Sequence, residues 1–288
     1  MRIGAHVPTR GGLLSVIEAA RACDAQAVQV FISNPRSWAP PRLASSETEE
    51  FRAAWRESGL GPLFAHAPYV VNIASPNPEF LAKSIELARR SVAACSAVGA
   101  EGFVVHAGSG GPGEPHEALE RAASALRAIA PEGDTRVVVE LTAGTAGSVA
   151  ATFPEAAGLF EAVGDHRLGL CADTCHLFAA GYGLDEPDGV AACFEELRTS
   201  GLVDRLLLIH TNDAKHGRGT HRDRHAHIGE GHIGVDGFRA ILARPELARL
   251  SLVIETPGGL SDHRRNIKVL RSLAGCAFKG YPRGEGGG

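Results

Sequence analysis

Eight short runs of β-branched and aliphatic residues recur along the chain, at 2–5, 26–31, 62–65, 102–105, 136–139, 167–172, 205–209 and 251–254. Most are near-continuously apolar rather than alternating, which is how strands covered on both faces read. Helical patterns lie between them, over 13–23, 46–58, 78–98, 117–129, 152–163, 187–200, 237–242 and 263–273. The second has acidic residues in its first turn, which suit the positive end of a helix dipole. The third opens on Pro78, where a missing N–H costs nothing. Strands alternating with helices in this way predict an α/β fold, a (β/α)8 barrel. A doubly wound open sheet is the alternative. It would carry a Gly-rich phosphate loop after its first strand, for which Gly11 and Gly12 are only a faint candidate.

The 288 residues are enough to bury a substantial core. They are expected to form one barrel domain over 1–282, with a disordered Gly-rich tail at 283–288. The apolar content of 44% and charged content of 22% exclude a disordered chain. No apolar run approaches the roughly 18 residues of a membrane helix. The opening MRIGAHVPTRGG has no basic segment followed by an apolar one, so no signal peptide is expected. The expectation is a cytoplasmic protein with no membrane partner, read as a monomer. Six scattered cysteines fit reduced thiols better than a disulfide framework. The net charge of −4 argues against gripping nucleic acid by charge alone, unless something positive binds to the chain.

The chemistry concentrates where the strands end. The third run is followed by His66, the fourth by His106, the fifth by Glu140 and the sixth by Asp173, with His176 three residues on. The seventh is followed by His210 and the eighth by Glu255. In a barrel these positions share one rim around one mouth, where active sites sit. Carboxylates so close together repel unless cations lie between them. Imidazole mixed with carboxylate suits zinc, and less specifically manganese or iron. The pattern predicts a polynuclear metal site. After His210 runs a stretch rich in histidine, in which Asp223 and His225 are two apart and share one side of an extended segment.

Three stretches carry a resemblance: His66-Ala-Pro-Tyr-Val-Val-Asn-Ile-Ala74, Gly169-Leu-Cys-Ala-Asp-Thr-Cys-His176, and the run from His210 to Gly231 with its NDAK and DRH elements. They resemble the endonuclease IV family of zinc-dependent apurinic/apyrimidinic (AP) endonucleases. The resemblance implies a TIM barrel of the xylose isomerase-like type that holds three Zn2+ ions, with Mn2+ able to take part of the sites. It implies one ion on His66, His106 and Glu140, and a second on Glu140, Asp173, His210 and Glu255. The third would lie on His176, Asp223 and His225, with Glu140 and Glu255 carrying catalysis. It implies hydrolysis of the phosphodiester 5′ to an abasic site in duplex DNA, leaving a 3′-hydroxyl and a 5′-deoxyribose phosphate. Zinc lowers the pKa of bound water from about 15.7 to about 7, which supplies hydroxide at neutral pH. Three dications would also turn the small negative charge balance positive, and concentrate that charge in the mouth.

The implied DNA contacts are Arg36, Ser37, Tyr69, Lys215 and Arg224. Arg36 and Trp38 match a loop that enters the duplex, whereas Ser37 is shorter than the family's usual polar residue. After Glu140 the chain departs again: Leu141 replaces a polar residue, and Thr145 and Ala146 replace Gln-Gly. Several other residues have a plainer reading. His6 reads as a supporting residue at the mouth, and Cys171 and Cys175 as small buried thiols rather than ligands. His216, His221, His227, His232 and His263 read as surface or supporting residues, and His116 and His166 as solvated. The rival is a divalent-metal sugar isomerase or epimerase of the xylose isomerase type, which would need only Glu140, Asp173, His210 and Glu255. A non-catalytic binder of damaged DNA would not need the full ligand set.

Overall fold

The computed structural model describes residues 1–129 and 133–279. The tail expected to be disordered, 283–288, lies outside them. Among the described residues the strands are β1 (Arg2–His6), β2 (Val28–Phe31), β3 (Leu63–His66), β4 (Gly102–His106), β5 (Arg136–Glu140), β6 (Gly169–Asp173), β7 (Leu206–His210), β8 (Asp213–Ala214), β9 (His225–Ala226) and β10 (Ser251–Ile254). All except β8 and β9 pair in parallel and close into a barrel. β8 and β9 form a separate antiparallel ribbon. The helices are α1 (Ser15–Ala22), α2 (Ser45–Ser58), α3 (Pro78–Val98), α4 (Pro115–Ile129), α5 (Phe153–Val163), α6 (Thr174–Ala180), α7 (Pro187–Thr199), α8 (Gly234–Leu242) and α9 (Leu260–Lys279). No described helix is long and apolar enough to cross a membrane.

The barrel has two apolar layers. Inside it, Ala27, Phe64, Val104, Val138, Cys171, Leu208 and Val253 pack together. Outside, strand residues such as Val105, Val139 and Ile209 meet Val92, Leu126 and Leu159 of the helices. Fully burying each Val, Leu or Phe contributes about 1.5–3 kcal/mol. The interior is tight enough to dictate glycine at position 4, where a Cβ would lie 1.6 Å from the Ala27 carbonyl oxygen. A filled interior leaves no channel, so the polar ring is confined to the mouth. Among the described residues Cys23, Cys95, Cys171, Cys175 and Cys193 are free and buried.

Two elements depart from the sequence expectation. α6 was not expected, and the loop after β7 contains the β8–β9 ribbon. α6 starts directly at the end of β6 because Asp173 caps it: one carboxylate oxygen accepts from the Cys175 and His176 amides at 2.6 and 3.1 Å. Such a cap satisfies donors that the first helical turn cannot pair internally. It also turns His176 into the mouth. The ribbon is anchored by fully buried Asp213. Its carboxylate accepts from the amides of Ala214, Gly229, Gly231 and Ile233 at 2.8–3.0 Å.

Candidate metal centre

The strand ends bring the expected ring of side chains together. Glu140 is fully buried at its centre. Its Oε2 faces His66 Nε2 at 2.9 Å and His106 Nε2 at 3.2 Å. Its Oε1 faces His210 Nδ1 at 2.9 Å and His176 Nδ1 at 3.3 Å. One carboxylate thus spans two groups of donors, as a bridging residue must. Beside it, His210 Nδ1 lies 3.6 Å from Glu255 Oε2 and 4.0 Å from Asp173 Oδ2. Asp223, on the loop between β8 and β9, lies 3.3 Å from His176 Nε2 and 3.3 Å from His225 Nε2. Asp173 Oδ2 is 3.7 Å from His225 Nε2, so it adjoins this last group as well.

Backbone carbonyls fix which nitrogen His66, His176 and His225 present. His66 Nδ1 donates to the Ala67 carbonyl at 2.8 Å, His176 Nδ1 to Leu141 at 2.9 Å, and His225 Nδ1 to Glu255 at 3.1 Å. Each therefore turns Nε2 inward, and carbonyl partners of this kind are how proteins orient metal-binding imidazoles. The departure at Leu141 is accommodated, since its side chain is in the core while its carbonyl holds His176.

The electrostatics follow from burial and crowding. Burial alone would raise the Glu140 carboxyl, but His210 and His106 outweigh it and hold it well below the usual carboxylate range. Glu255 and Asp223 behave in the same way, against burial and through His210 and His176 respectively. Burial lowers His225, but Asp223 and Asp173 more than offset it and push it up to about 9. His66 and His176 are also raised, by neighbouring carboxylates that outweigh burial, and His210, beside Cys171, Glu255 and Glu140, is raised too. The cluster is thus ionised acids interleaved with imidazoles that are protonated when no other cation neutralises the acids.

The donor set fits divalent ions. The atoms of His66, His106 and Glu140 lie within 4.8 Å of one another, as do those of Glu140, Asp173, His210 and Glu255, and those of His176, Asp223 and His225. His225 Nε2 is buried with no hydrogen-bond partner, which an ion among these donors would supply. Cys171 and Cys175 also come within reach of the cluster. Burial pushes both thiols up to about 12, which keeps them neutral and leaves the nitrogens and oxygens as the better donors.

A cavity of about 320 Å³ opens over the ring, lined by Phe31, Tyr69, Thr256 and His263 as well as cluster residues. A second, of about 250 Å³, adjoins His106, His176 and Asp223, and Thr145 and Ser148 line it. Tyr69 is exposed and packs edge-on against Phe31 at 5.2 Å between ring centres. Its amide donates to the Pro35 carbonyl at 2.9 Å, which ties it to the loop of Arg36 and Ser37. The Ser37 hydroxyl bonds within its own loop, accepting from the Ala39 amide at 3.1 Å. Lys215 and Arg224 are exposed and paired through their backbones at 2.9 Å across the base of the loop. Neither lines the cavity over the ring, and Arg224 donates to the Asp223 carbonyl.

His116 and His166 are exposed, as expected, whereas His263 is buried and bonds to the Thr256 carbonyl. Three supporting residues carried no sequence assignment. Asn212 donates to Asp173 at 2.7 Å and accepts from the Glu255 amide at 2.7 Å. Asp213 anchors the ribbon, and Gln29 touches His6, His210 and Glu255. Asn212 and Asp213 stand within the NDAK element, which was the available signal. Gln29 left none beyond being an amide in an apolar run.

This combination of closed parallel barrel and ionisable mouth defines a class. A family model described as a xylose isomerase-like TIM barrel matches residues 17–273, and the chain has that fold. Two curated relatives named probable endonuclease 4 are similar over most of their length. The one from Streptomyces coelicolor is 41% identical over 94% of this chain and 94% of its own. The one from Streptomyces avermitilis is 40% identical over 94% of this chain and 89% of its own. The crystal structure of endonuclease IV from Thermus thermophilus superposes with a TM-score of 0.85 at 34% identity, covering 95% of this chain and 98% of that one. The chain belongs to the endonuclease 4 family, which makes it a phosphodiester-cleaving hydrolase rather than a sugar isomerase.

Proposed function

We propose that the chain cleaves duplex DNA on the 5′ side of abasic sites, using three divalent ions, mainly zinc, held in the mouth of its barrel. The observation that carries this reading is the group of His176, Asp223 and His225 beside the Glu140 cluster. An isomerase needs one or two ions at Glu140, Asp173, His210 and Glu255, and has no use for a further group. His66, His106 and Glu140 would hold one ion, and Glu140, Asp173, His210 and Glu255 the next. When bound, such ions activate water at neutral pH and neutralise phosphate oxygens.

The chain's own residues do the rest. Glu140, Glu255 and Asp223 are held ionised, so they are ready to bind cations at neutral pH. Phe31 and Tyr69 wall one side of the cavity. The cavity's volume suits a sugar-phosphate without its base. An abasic nucleotide is also the cheapest to swing out, having no base to unpair. Arg36, Ser37 and Tyr69 share one side of the rim, and we assign them to the duplex, with Lys215 and Arg224 meeting phosphates. The Ser37 hydroxyl is bonded within its own loop, so it fills little of the gap an extruded nucleotide leaves. The protein is read as acting alone, as a monomer.

Elemental analysis of zinc-reconstituted protein tests the reading. About three ions per chain are expected, and a chelator should abolish cleavage of abasic duplex. Two or fewer ions with full cleavage would overturn the three-ion site, and two ions with sugar epimerisation would favour the rival.

A further inference from the structure

Gln29 lies on β2 with its side chain fully buried at the mouth of the barrel. Buried amides in an otherwise apolar strand are costly unless every group is paired. Here they are paired, and with unusual partners. Oε1 lies 2.9 Å from His210 Nε2, and Nε2 lies 2.6 Å from Glu255 Oε1. Nε2 also lies 3.1 Å from His6 Nδ1, which is itself 3.1 Å from Glu255 Oε1.

The orientation of this amide is forced. An ionised carboxylate only accepts hydrogen bonds, so the NH2 group must face Glu255. The carbonyl oxygen is then left for His210, and a carbonyl only accepts. His210 must therefore carry its proton on Nε2. This leaves Nδ1, the nitrogen that faces Glu140 Oε1 at 2.9 Å and Glu255 Oε2 at 3.6 Å. At Glu255 the bond occupies Oε1 and leaves Oε2. The two atoms that Gln29 leaves free are the two that face one another, together with Asp173 and Glu140.

We infer that Gln29 is a positioning residue that sets the tautomer of His210 and the rotation of the Glu255 carboxylate, and so builds the ion site of Glu140, Asp173, His210 and Glu255. This rests on the metal reading given above. The carbonyls that orient His66, His176 and His225 belong to the backbone and survive any substitution of their own side chains. His210 alone among these has a side chain in that role, so its orientation can be removed by one change. Partners that orient metal-binding residues typically contribute about 10–100-fold in affinity.

Gln29→Met tests this, since it keeps the volume and removes both hydrogen bonds. Gln29→Glu separates the two roles: it still offers an acceptor to His210 but meets Glu255 with like charge. Nitrogen NMR of the imidazoles in metal-free protein, taken to alkaline pH until His210 is neutral, should show its remaining proton on Nε2 in the parent and Gln29→Glu. A mixture of tautomers is expected in Gln29→Met. Zn2+ titration against a chelator should show one of three sites weakened about 10–100-fold in Gln29→Met. The other two sites should match the parent, and the visible spectrum of Co2+-loaded protein should change at that site alone. Circular dichroism reports folding; should Gln29→Met fail to fold, the parent and Gln29→Glu spectra still decide the tautomer. Neutral His210 in the parent with its one proton on Nδ1 would overturn the inference, as would unchanged Zn2+ affinity in folded Gln29→Met. A parent that binds no ion at His210 would overturn the metal reading instead, with the tautomer result standing separately.

Discussion

At the scale of single residues, the cluster works because His66, His176, His210 and His225 each have one nitrogen committed to a carbonyl or amide, leaving the other inward. His225 is the clearest case, with Nδ1 on the Glu255 carbonyl and Nε2 left without a partner between Asp173 and Asp223. Replacing His225 or Asp223 with alanine removes one donor from the third group and leaves the other two intact. Metal content should fall from about three towards two, and abasic-site cleavage by about 10²–10³-fold, as for loss of one electrostatic contact to a transition state. Thermal unfolding should change little, since the barrel core is elsewhere. Parent-level cleavage by a folded two-ion variant would exclude this role. Asp223 and His225 were legible from their two-residue spacing in a histidine-rich stretch, and the rest of the ring because a strand end followed by His, Asp or Glu repeats six times. Gln29 was not, because its importance depends on which side chains cross the barrel to meet it.

At the scale of elements, the strands were readable to within a residue or two because burial on both faces leaves continuous apolar runs. α6 was not, because it has seven residues and begins where β6 ends, leaving no loop to mark it. The ribbon was hidden for another reason. Its anchor is a set of backbone amides from Gly229, Gly231 and Ile233 converging on Asp213, and amides have no residue-type signature. Gly231 is required there, since a Cβ would lie 2.4 Å from the Asp213 carboxylate. Asp213→Ala orphans these donors, each worth about 1–3 kcal/mol when buried and unpaired. The expected result is a loss of at least about 2 kcal/mol in denaturant unfolding, together with loss of the third ion, because Asp223 and His225 ride on this loop. Full retention of both would show that the loop is held by other contacts.

At the scale of the whole molecule, a chain of net charge −4 gathers nine His, Asp and Glu side chains in one mouth. In metal-free protein the raised histidines contribute stability below their ordinary value near 6.5, and this is lost as pH rises through their folded values, about 9 for His225. The lowered Glu140, Glu255 and Asp223 contribute above the ordinary carboxylate range, and this is lost as pH falls. His6 and His263, lowered by burial, work against the other histidines. Metal-free protein should therefore be most stable between about pH 4.5 and 6.5. Zinc needs the imidazoles neutral, so the gain in melting temperature on adding zinc should grow from pH 5 to pH 9. A gain independent of pH would contradict this. DNA binding should weaken steeply with salt and depend little on sequence, because a nucleotide without a base offers no edge to read. Binding that ignored salt in a filter or anisotropy assay would count against phosphate contacts.

The most direct measurement is to incubate zinc-loaded protein with duplex DNA carrying a single abasic site and map both product ends. Cleavage on the 5′ side, leaving a 3′-hydroxyl and a 5′-deoxyribose phosphate, is predicted, with no cleavage of the same duplex carrying an intact base. Cleavage on the 3′ side of the lesion, or none at all by protein shown to hold three zinc ions, would contradict the account.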